Sequence, residues 1–400
     1  MERGNIKLNN PERFEKPFEI SKDKLNAAIK HATEKLALKT EKKFGLKFPR
    51  NRFDDPIGRI YTMGENDSWI SGLHSGCYLI AYELTGDKKF LDVVTNQLDT
   101  YIDRIDKKFH LSDHDVGFVY SPSCVAYYKL TGDERAKKAA LDAAEHLYSF
   151  SYSQKGGFIL RIAAHQDDPP CCRTMMDTLM NIPLFYWAYE QTGDKKFLDA
   201  ANSQVDITAN YLIREDGSSY HHYQFEVGTH KPLYGLTFQG NRDESTWSRG
   251  HSWGVLGFPI AYSYTKREDL IPLHRDVVYY MLNHLPEDLV PYWDYDFTEG
   301  DEARDSSAGA IAVCGLLDAA KYLPDSAPEK VIFKNAAHMI MDKIIDTCTN
   351  DIGEDYDGVM YKVTGAKKMN IAVEGCASYG DMFYFEALKR LQDPEWKHLW

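Results

Sequence analysis

The sequence contains no run approaching the roughly 20 consecutive apolar residues of a membrane span. Its first ten residues, Met1 to Asn10, hold no apolar stretch of the kind that forms a secretory signal. Cysteine is scarce: seven in 400 residues, an odd number, with Cys171 and Cys172 adjacent and no Cys-x-x-Cys. That argues against a disulfide framework or a cysteine zinc site and for a reducing compartment, so a cytoplasmic location is expected. Positive charge is also short. Lys and Arg number 47 against 60 Asp and Glu, a net charge of −13, which argues against nucleic acid or an anionic membrane as a partner. A small anionic substrate needs only a local positive site and stays open.

What is present is a large apolar fraction, 43%, and a repeated phrase. Tyr82-Glu-Leu-Thr85-Gly86-Asp87-Lys-Lys-Phe-Leu-Asp recurs as Tyr128-Lys-Leu-Thr131-Gly132-Asp133-Glu-Arg and as Tyr189-Glu-Gln-Thr192-Gly193-Asp194-Lys-Lys-Phe-Leu-Asp. Each copy ends an apolar helix and begins an amphipathic one. Trp69 to Leu84 with Lys88 to Ile105, Asp115 to Leu130 with Glu134 to Phe150, and a helix from Asp177 to Gly193 with Phe197 to Leu212 are the first three pairs. In the third, Pro183 is tolerable only in or near a first turn. Arg249 to Tyr264 with Arg267 to Leu285, and Asp305 to Leu323 with Glu329 to Cys348, are the next two. Ser378 to Leu391 is a sixth buried helix. The amphipathic segment Ser21 to Lys43, with Ser21 as N-cap, supplies its outer partner. Gly156 to Cys172, including Asp167 to Pro170, is a long connection, and Glu215 to Ser248 is a long loop with room for a hairpin.

Twelve helices in six hairpins predict an all-α (α/α)6 barrel over residues 1–400, one domain, with the N-terminal helix closing the outer ring. An open solenoid would need a polar terminal repeat, and the last inner helix carries Met382, Phe383, Phe385, Ala387 and Leu388.

Counting back from the turns brings out the site. Trp69 and Asp115 lie 16 residues before Thr85 and Thr131, and Asp177 lies 15 before Thr192. These residues stand at one level, roughly 24 Å from the turns. The same count on the later hairpins reaches Arg249, His251 and Trp253, then Asp305, then Ser378, Tyr379 and Asp381. In a closed ring one mouth holds Trp69, His114, Asp115, Asp177, Arg249, His251, Trp253 and Tyr379. Two carboxylates from neighbouring inner helices among aromatic rings suit a sugar and a carboxylate-dependent glycosidase. Each residue also has a plainer role open to it: Asp115, Asp177 and Asp305 as N-caps, His251 as a core histidine, the tryptophans as core, and Arg249 as the partner of Asp305. His221, His222 and His230 lack a carboxylate or cysteine at ligand spacing, so no metal or other cofactor is expected.

At these residues the chain resembles the unsaturated glucuronyl hydrolases of glycoside hydrolase family 88. The motifs are His114-Asp115-Val-Gly-Phe118, Met175-Met-Asp177-Thr-Leu-Met-Asn181-Ile-Pro-Leu184, Arg249-Gly-His-Ser-Trp253-Gly and Ser378-Tyr-Gly-Asp381, in a resemblance running from about Trp69 to the C-terminus. It implies an (α/α)6 fold and a substrate with a Δ4,5-unsaturated uronic acid at its non-reducing end, released by hydration of the C4=C5 vinyl ether. It implies Asp177 as the proton donor to C4 and activator of water, and Asp115 as the second carboxylate. Trp69, His114, Arg249, His251, Trp253, Ser378 and Tyr379 are the expected substrate-binding residues, with Lys362, Lys367 and Lys368 as further candidates for anionic groups. Unsaturated disaccharides of the hyaluronan and chondroitin type are the expected substrates. Pectin fragments, as for an unsaturated rhamnogalacturonyl hydrolase, are the alternative, and a non-catalytic helical scaffold is the alternative from another class. The chain departs from the family pattern at His251, where many members carry Gln, at Ile162 or its neighbour, where some carry Trp, and at Phe238, where a basic residue accompanies sulfated substrates.

Overall fold

The Thr-Gly-Asp phrase is a helix stop and a helix start in three residues. The hydroxyls of Thr85, Thr131 and Thr192 each donate to a carbonyl four residues back at 2.7 Å and accept the amide of Asp87, Asp133 or Asp194. Gly86, Gly132 and Gly193 take the left-handed conformation, with φ of 71°, 72° and 70°, that a side chain would oppose. The three aspartates then cap the following helices through the amides of Lys89, Arg135 and Lys196. In the fourth hairpin Thr265 keeps the hydroxyl bond, and Lys266 occupies the left-handed position at φ 54°.

The computed structural model describes residues 3–162, 171–349 and 355–400; the Asp167 to Pro170 part of the long connection lies outside them. In chain order the helices are α1 (Glu12–Glu15), α2 (Lys22–Lys39), α3 (Ser71–Thr85), α4 (Lys88–Asp106), α5 (Val116–Tyr120), α6 (Ala126–Thr131) and α7 (Glu134–His146). They continue as α8 (Pro183–Thr192), α9 (Lys195–Ile207), α10 (Ser248–Thr265), α11 (Leu270–Asn283), α12 (Ser306–Tyr322), α13 (Pro328–Cys348) and α14 (Ser378–Gln392). The inner ring is α3, α5 with α6, α8 with the turn before it, α10, α12 and α14. It closes where α14 packs on α3, and α2 covers α14 from outside. This is the expected (α/α)6 barrel. Ser21 caps α2 through the Lys24 amide.

Two inner helices differ from the expected continuous ones, and proline is the reason in both. Pro122 has no N–H to donate, and the chain opens into a π-helical turn, Ser121–Val125, between α5 and α6. Pro183 occupies the first turn of α8, so the α-helix begins there and not at Asp177. Asp177 instead sits in a separate 3₁₀ turn, Met176–Met180.

The strands are short: β1 (Phe48–Phe53) with β2 (Tyr61–Gly64), β3 (Tyr152–Ser153) with β4 (Phe158–Ile159), and a sheet of β5 (Arg173–Met175), β6 (His222–Phe225) and β7 (Pro232–Leu236). The long loop does hold a hairpin, β6–β7, but it turns between Phe225 and Pro232, while the Glu215 to Ser218 turn expected to make one closes only a single Ile213–Ser219 bridge; β5, directly before the Asp177 turn, extends the hairpin. Inner helices touch closely enough to demand glycine at the contacts. A Cβ on Gly315 of α12 would lie 2.3 Å from the Val255 carbonyl of α10.

Candidate active site

Asp115 stands at the N-cap position of α5 and Asp177 in the turn before α8, yet neither side chain caps a helix. Asn181 sets one against the other. Its Oδ1 accepts the Phe118 amide at 3.1 Å, and its Nδ2 donates to the Asp177 carbonyl at 3.1 Å. Gly117 makes room for this strut, since a Cβ there would fall 2.4 Å from the Asn181 Cα.

His114 Nδ1 lies 3.1 Å from the Arg161 carbonyl oxygen, which can only accept, so Nδ1 carries a proton. His114 Nε2 lies 3.1 Å from Asp115 Oδ1. Burial pushes the Asp115 carboxyl up to about 7; His114 opposes that shift, and Asp113 and Asp177 add to it. Burial alone would lower His114, but the carboxylates of Asp115, Asp113 and Asp177 outweigh it and raise its pKa.

Asp177 Oδ1 is buried and has no hydrogen-bond partner among the described residues. Burial raises the Asp177 pKa, with His114 and Arg249 opposing. Asp177 Oδ1 lies 3.8 Å from His221 Nε2. The Phe238 amide donates toward His221 Nδ1 at 3.4 Å, and burial together with the charges of Arg249 and Arg173 pushes His221 well below its usual pKa. The ring is thus neutral with its proton on Nε2, directed toward Asp177 and toward His222 Nε2 at 3.1 Å. A carboxyl group whose pKa burial has raised keeps its proton to higher pH than an exposed one and, once it gives the proton up, meets an N–H donor.

Aromatic rings form the adjoining wall. Trp69, just before α3, stacks on Tyr379 of α14 at 5.6 Å. The Phe118 edge bridges Trp69 and Trp253 at 5.4 Å on each side, and Trp253 continues to Phe383. Beside Trp69 and Asp115 opens a cleft of about 350 Å³, also lined by Arg50, Arg104 and His110. Ser378 begins α14, and its buried hydroxyl has no partner among the described residues.

Two expected substrate ligands have other employment. The Arg249 guanidinium forms an ion pair with Asp305 and donates to the carbonyls of Thr364 at 2.7 Å and Gly365 at 2.6 Å. It also lies 4.8 Å over the Tyr379 ring. It therefore ties α10 and α12 to the loop before α14, and Asp305 is its buried counter-charge. His251 faces outward. It contacts Ser219 Oγ through Nδ1 at 3.0 Å and the Val277 carbonyl of α11 through Nε2 at 2.8 Å. It is a satisfied core histidine because its place on α10 points to the outer ring, away from the mouth. Lys367 pairs with Glu302, and the Lys362 ammonium lies 5.7 Å over the Tyr361 ring. Asp381 is likewise occupied, accepting from Tyr61 Oη and the amides of Val359 and Met360.

His221 and Asn181 were not assigned roles on sequence grounds. Asn181 lies four residues after Asp177, a one-turn spacing that points to a local bond. His221 has no such signal, because it arrives on a loop whose path the sequence pattern does not define. His230 lies apart from His221 and His222, against Ser153 and Phe158.

Residues 31–372 match the family described as Glycosyl Hydrolase Family 88. The chain is 36% identical over 397 residues, 98% of both sequences, to an unsaturated chondroitin disaccharide hydrolase of Streptococcus pneumoniae. Its fold matches an unsaturated glucuronyl hydrolase from Streptococcus agalactiae with a TM-score of 0.93 at 34% identity, covering 100% of each chain. A mutant of the Streptococcus agalactiae enzyme complexed with dGlcA-GalNAc6S matches with a TM-score of 0.87 at 32% identity, again over 100% of each chain. The family match spans both aspartate motifs and the first five inner helices, and the chain belongs to glycosyl hydrolase family 88.

Proposed function

We propose that this enzyme releases the Δ4,5-unsaturated uronic acid from the non-reducing end of lyase-generated glycosaminoglycan disaccharides of the hyaluronan and chondroitin type. Asp177 gives its proton to C4. The resulting carboxylate, facing the His221 Nε2–H, takes a proton from the water that adds at C5. The product is a hemiketal, which opens and frees the next sugar, so the net change is the addition of one water. The His114–Asp115 pair holds sugar hydroxyls and sets the charge beside Asp177. Trp69 and Tyr379 supply ring faces for the sugar. The observation that carries this reading is Asp177 itself: a buried carboxyl group with raised pKa and an unpartnered oxygen, next to a second protonatable carboxyl. The relatives named for chondroitin disaccharide support the substrate class.

The seven cysteines are all unpaired, which supports a cytoplasmic setting. Among the described residues no helix is long and apolar enough to cross a membrane.

The test is a panel of unsaturated disaccharides from hyaluronan, chondroitin, heparin and pectin, followed by loss of the double-bond ultraviolet absorbance. Turnover is expected on the first two. Asp177→Asn keeps the shape and removes the proton transfer, so it should bind disaccharide calorimetrically with no turnover. A fully active Asp177→Asn enzyme overturns the mechanism.

A further inference from the structure

Arg173 is 7% exposed, and its buried Nε has no hydrogen-bond partner among the described residues. Among the described residues, no ion pair is formed by Arg173 or by Arg161. Burying a guanidinium without a counter-charge is costly, so such a group is retained where an anion arrives. Arg161 lies alongside: its amide donates to the Arg173 carbonyl at 2.9 Å. Burial and the Arg161 charge push the Arg173 guanidinium down to about 10, which leaves it charged at neutral pH.

Strand register determines which way Arg173 faces. Thr174 turns to the outer ring, where its hydroxyl meets Gln204 of α9 at 3.2 Å. Arg173 and Met175 therefore take the opposite face of the sheet. Their cross-strand partners on that face are Gln224 and His222, and Tyr234 and Leu236 on β7 follow. This is the face from which His222 reaches His221 and so Asp177. Arg161 approaches from the other catalytic pair, since its carbonyl holds His114. Each arginine also has an exposed aromatic neighbour: Tyr234 is 58% and Phe238 48% exposed, and the Arg161 guanidinium lies 5.4 Å over the Phe238 ring. Exposed rings beside unpaired guanidinium groups match a sugar that carries an acidic substituent.

We propose that Arg161 and Arg173 form an anion-binding subsite beside the two catalytic carboxylates, taking a sulfate ester or carboxylate of the bound disaccharide. The proposal rests on the functional reading above, and it concerns binding and discrimination, not the hydration step. Neither arginine was singled out by the helix-turn spacing, because both lie in the connections between hairpins.

The test measures KM and kcat of the wild type, Arg161→Ala, Arg173→Met and Arg173→Lys on unsaturated chondroitin disaccharides without sulfate, with 4-sulfate and with 6-sulfate. Thermal unfolding of each variant is followed alongside. Loss of one charge-assisted hydrogen bond raises KM by about tenfold or more. A rise confined to a sulfated disaccharide assigns the subsite to sulfate; an equal rise on all three assigns it to the uronate carboxylate. Arg173→Lys should recover part of the loss. If Arg173→Met does not fold, Arg161→Ala decides alone. Folded Arg161→Ala with KM within twofold of wild type on all three overturns the proposal, as does a change in kcat alone. Inorganic sulfate, titrated calorimetrically into wild type and Arg161→Ala, reads the subsite without catalysis. Equal binding by the two, or none by either, argues against a sulfate-binding pair. Wild-type protein that turns over no disaccharide overturns the functional reading instead.

Discussion

Replacing Arg249 separates a fold-holding role from a substrate-holding one. In Arg249→Ala, Asp305 is left as a fully buried carboxylate with its counter-charge gone. The Thr364 and Gly365 carbonyls lose their donors too. Removing one partner of a buried ion pair costs about 3–5 kcal/mol, a large fraction of the roughly 5–15 kcal/mol that holds a typical domain folded. Asp305 keeps the Ser307 hydroxyl and the distant Thr364 amide at 3.5 Å, too little to stabilise the charge. Removing both charges relieves much of this, so Arg249→Ala/Asp305→Ala should be less destabilised than the sum of the single variants, by about 1.5 kcal/mol or more. Urea unfolding followed by far-ultraviolet circular dichroism gives the cycle. Because the loop at 362–368 is anchored only in part without Arg249, KM should also rise, but only together with the loss of stability. An Arg249→Ala protein that unfolds within about 0.5 kcal/mol of wild type while its KM rises tenfold would refute the assignment and return Arg249 to the substrate.

Other outcomes follow from the carboxylates and their strut. Asn181→Leu leaves the Phe118 amide buried and unpaired, at about 1–3 kcal/mol, and lets the two aspartates shift. A loss in kcat of roughly 100-fold is expected from such a displacement, and unchanged turnover in the same disaccharide assay would exclude the strut. The folded Asp115 pKa of about 7 lies above its ordinary 3.8, so the native state binds the extra proton. The resulting stability is full below about pH 4 and is lost as pH rises towards 7. Asp115→Asn removes that slope, and relative to wild type it should gain stability between pH 4 and 8, by at most about 4 kcal/mol; chemical denaturation at the two pH values measures it. Because Asp177 must be protonated to donate and its pKa is raised, kcat should fall as pH rises through that pKa, as a pH–rate profile in the disaccharide assay will show.

The helical layout was legible because it rests on local chemistry. A threonine hydroxyl, a left-handed glycine and a capping aspartate act within three residues, so the three phrases declare three hairpins without any tertiary information. The same spacing placed Trp69, Asp115 and Asp177 near one mouth, since a helix converts residue count into height. It was less reliable at two prolines: Pro122 and Pro183 broke helices that the apolar pattern had run together. The spacing also conveys height and not azimuth, and for that reason it grouped His251 with Arg249 although the two side chains leave α10 in different directions.

The sequence by itself therefore determined the hairpin count, the closed apolar ring and the two aspartates, all of which follow from periodicity and short-range bonds. Only the tertiary structure decided which charges are partnered. Arg249 meets Asp305 from another hairpin, Asn181 reaches back to α5, and His221 arrives from a loop to face Asp177. Arg161 and Arg173 have no carboxylate partner among the described residues. A counter-charge is found by closing loops of dozens of residues, and no local pattern encodes that choice, because the electrostatic partner depends on which surfaces the packed core brings within a few ångströms.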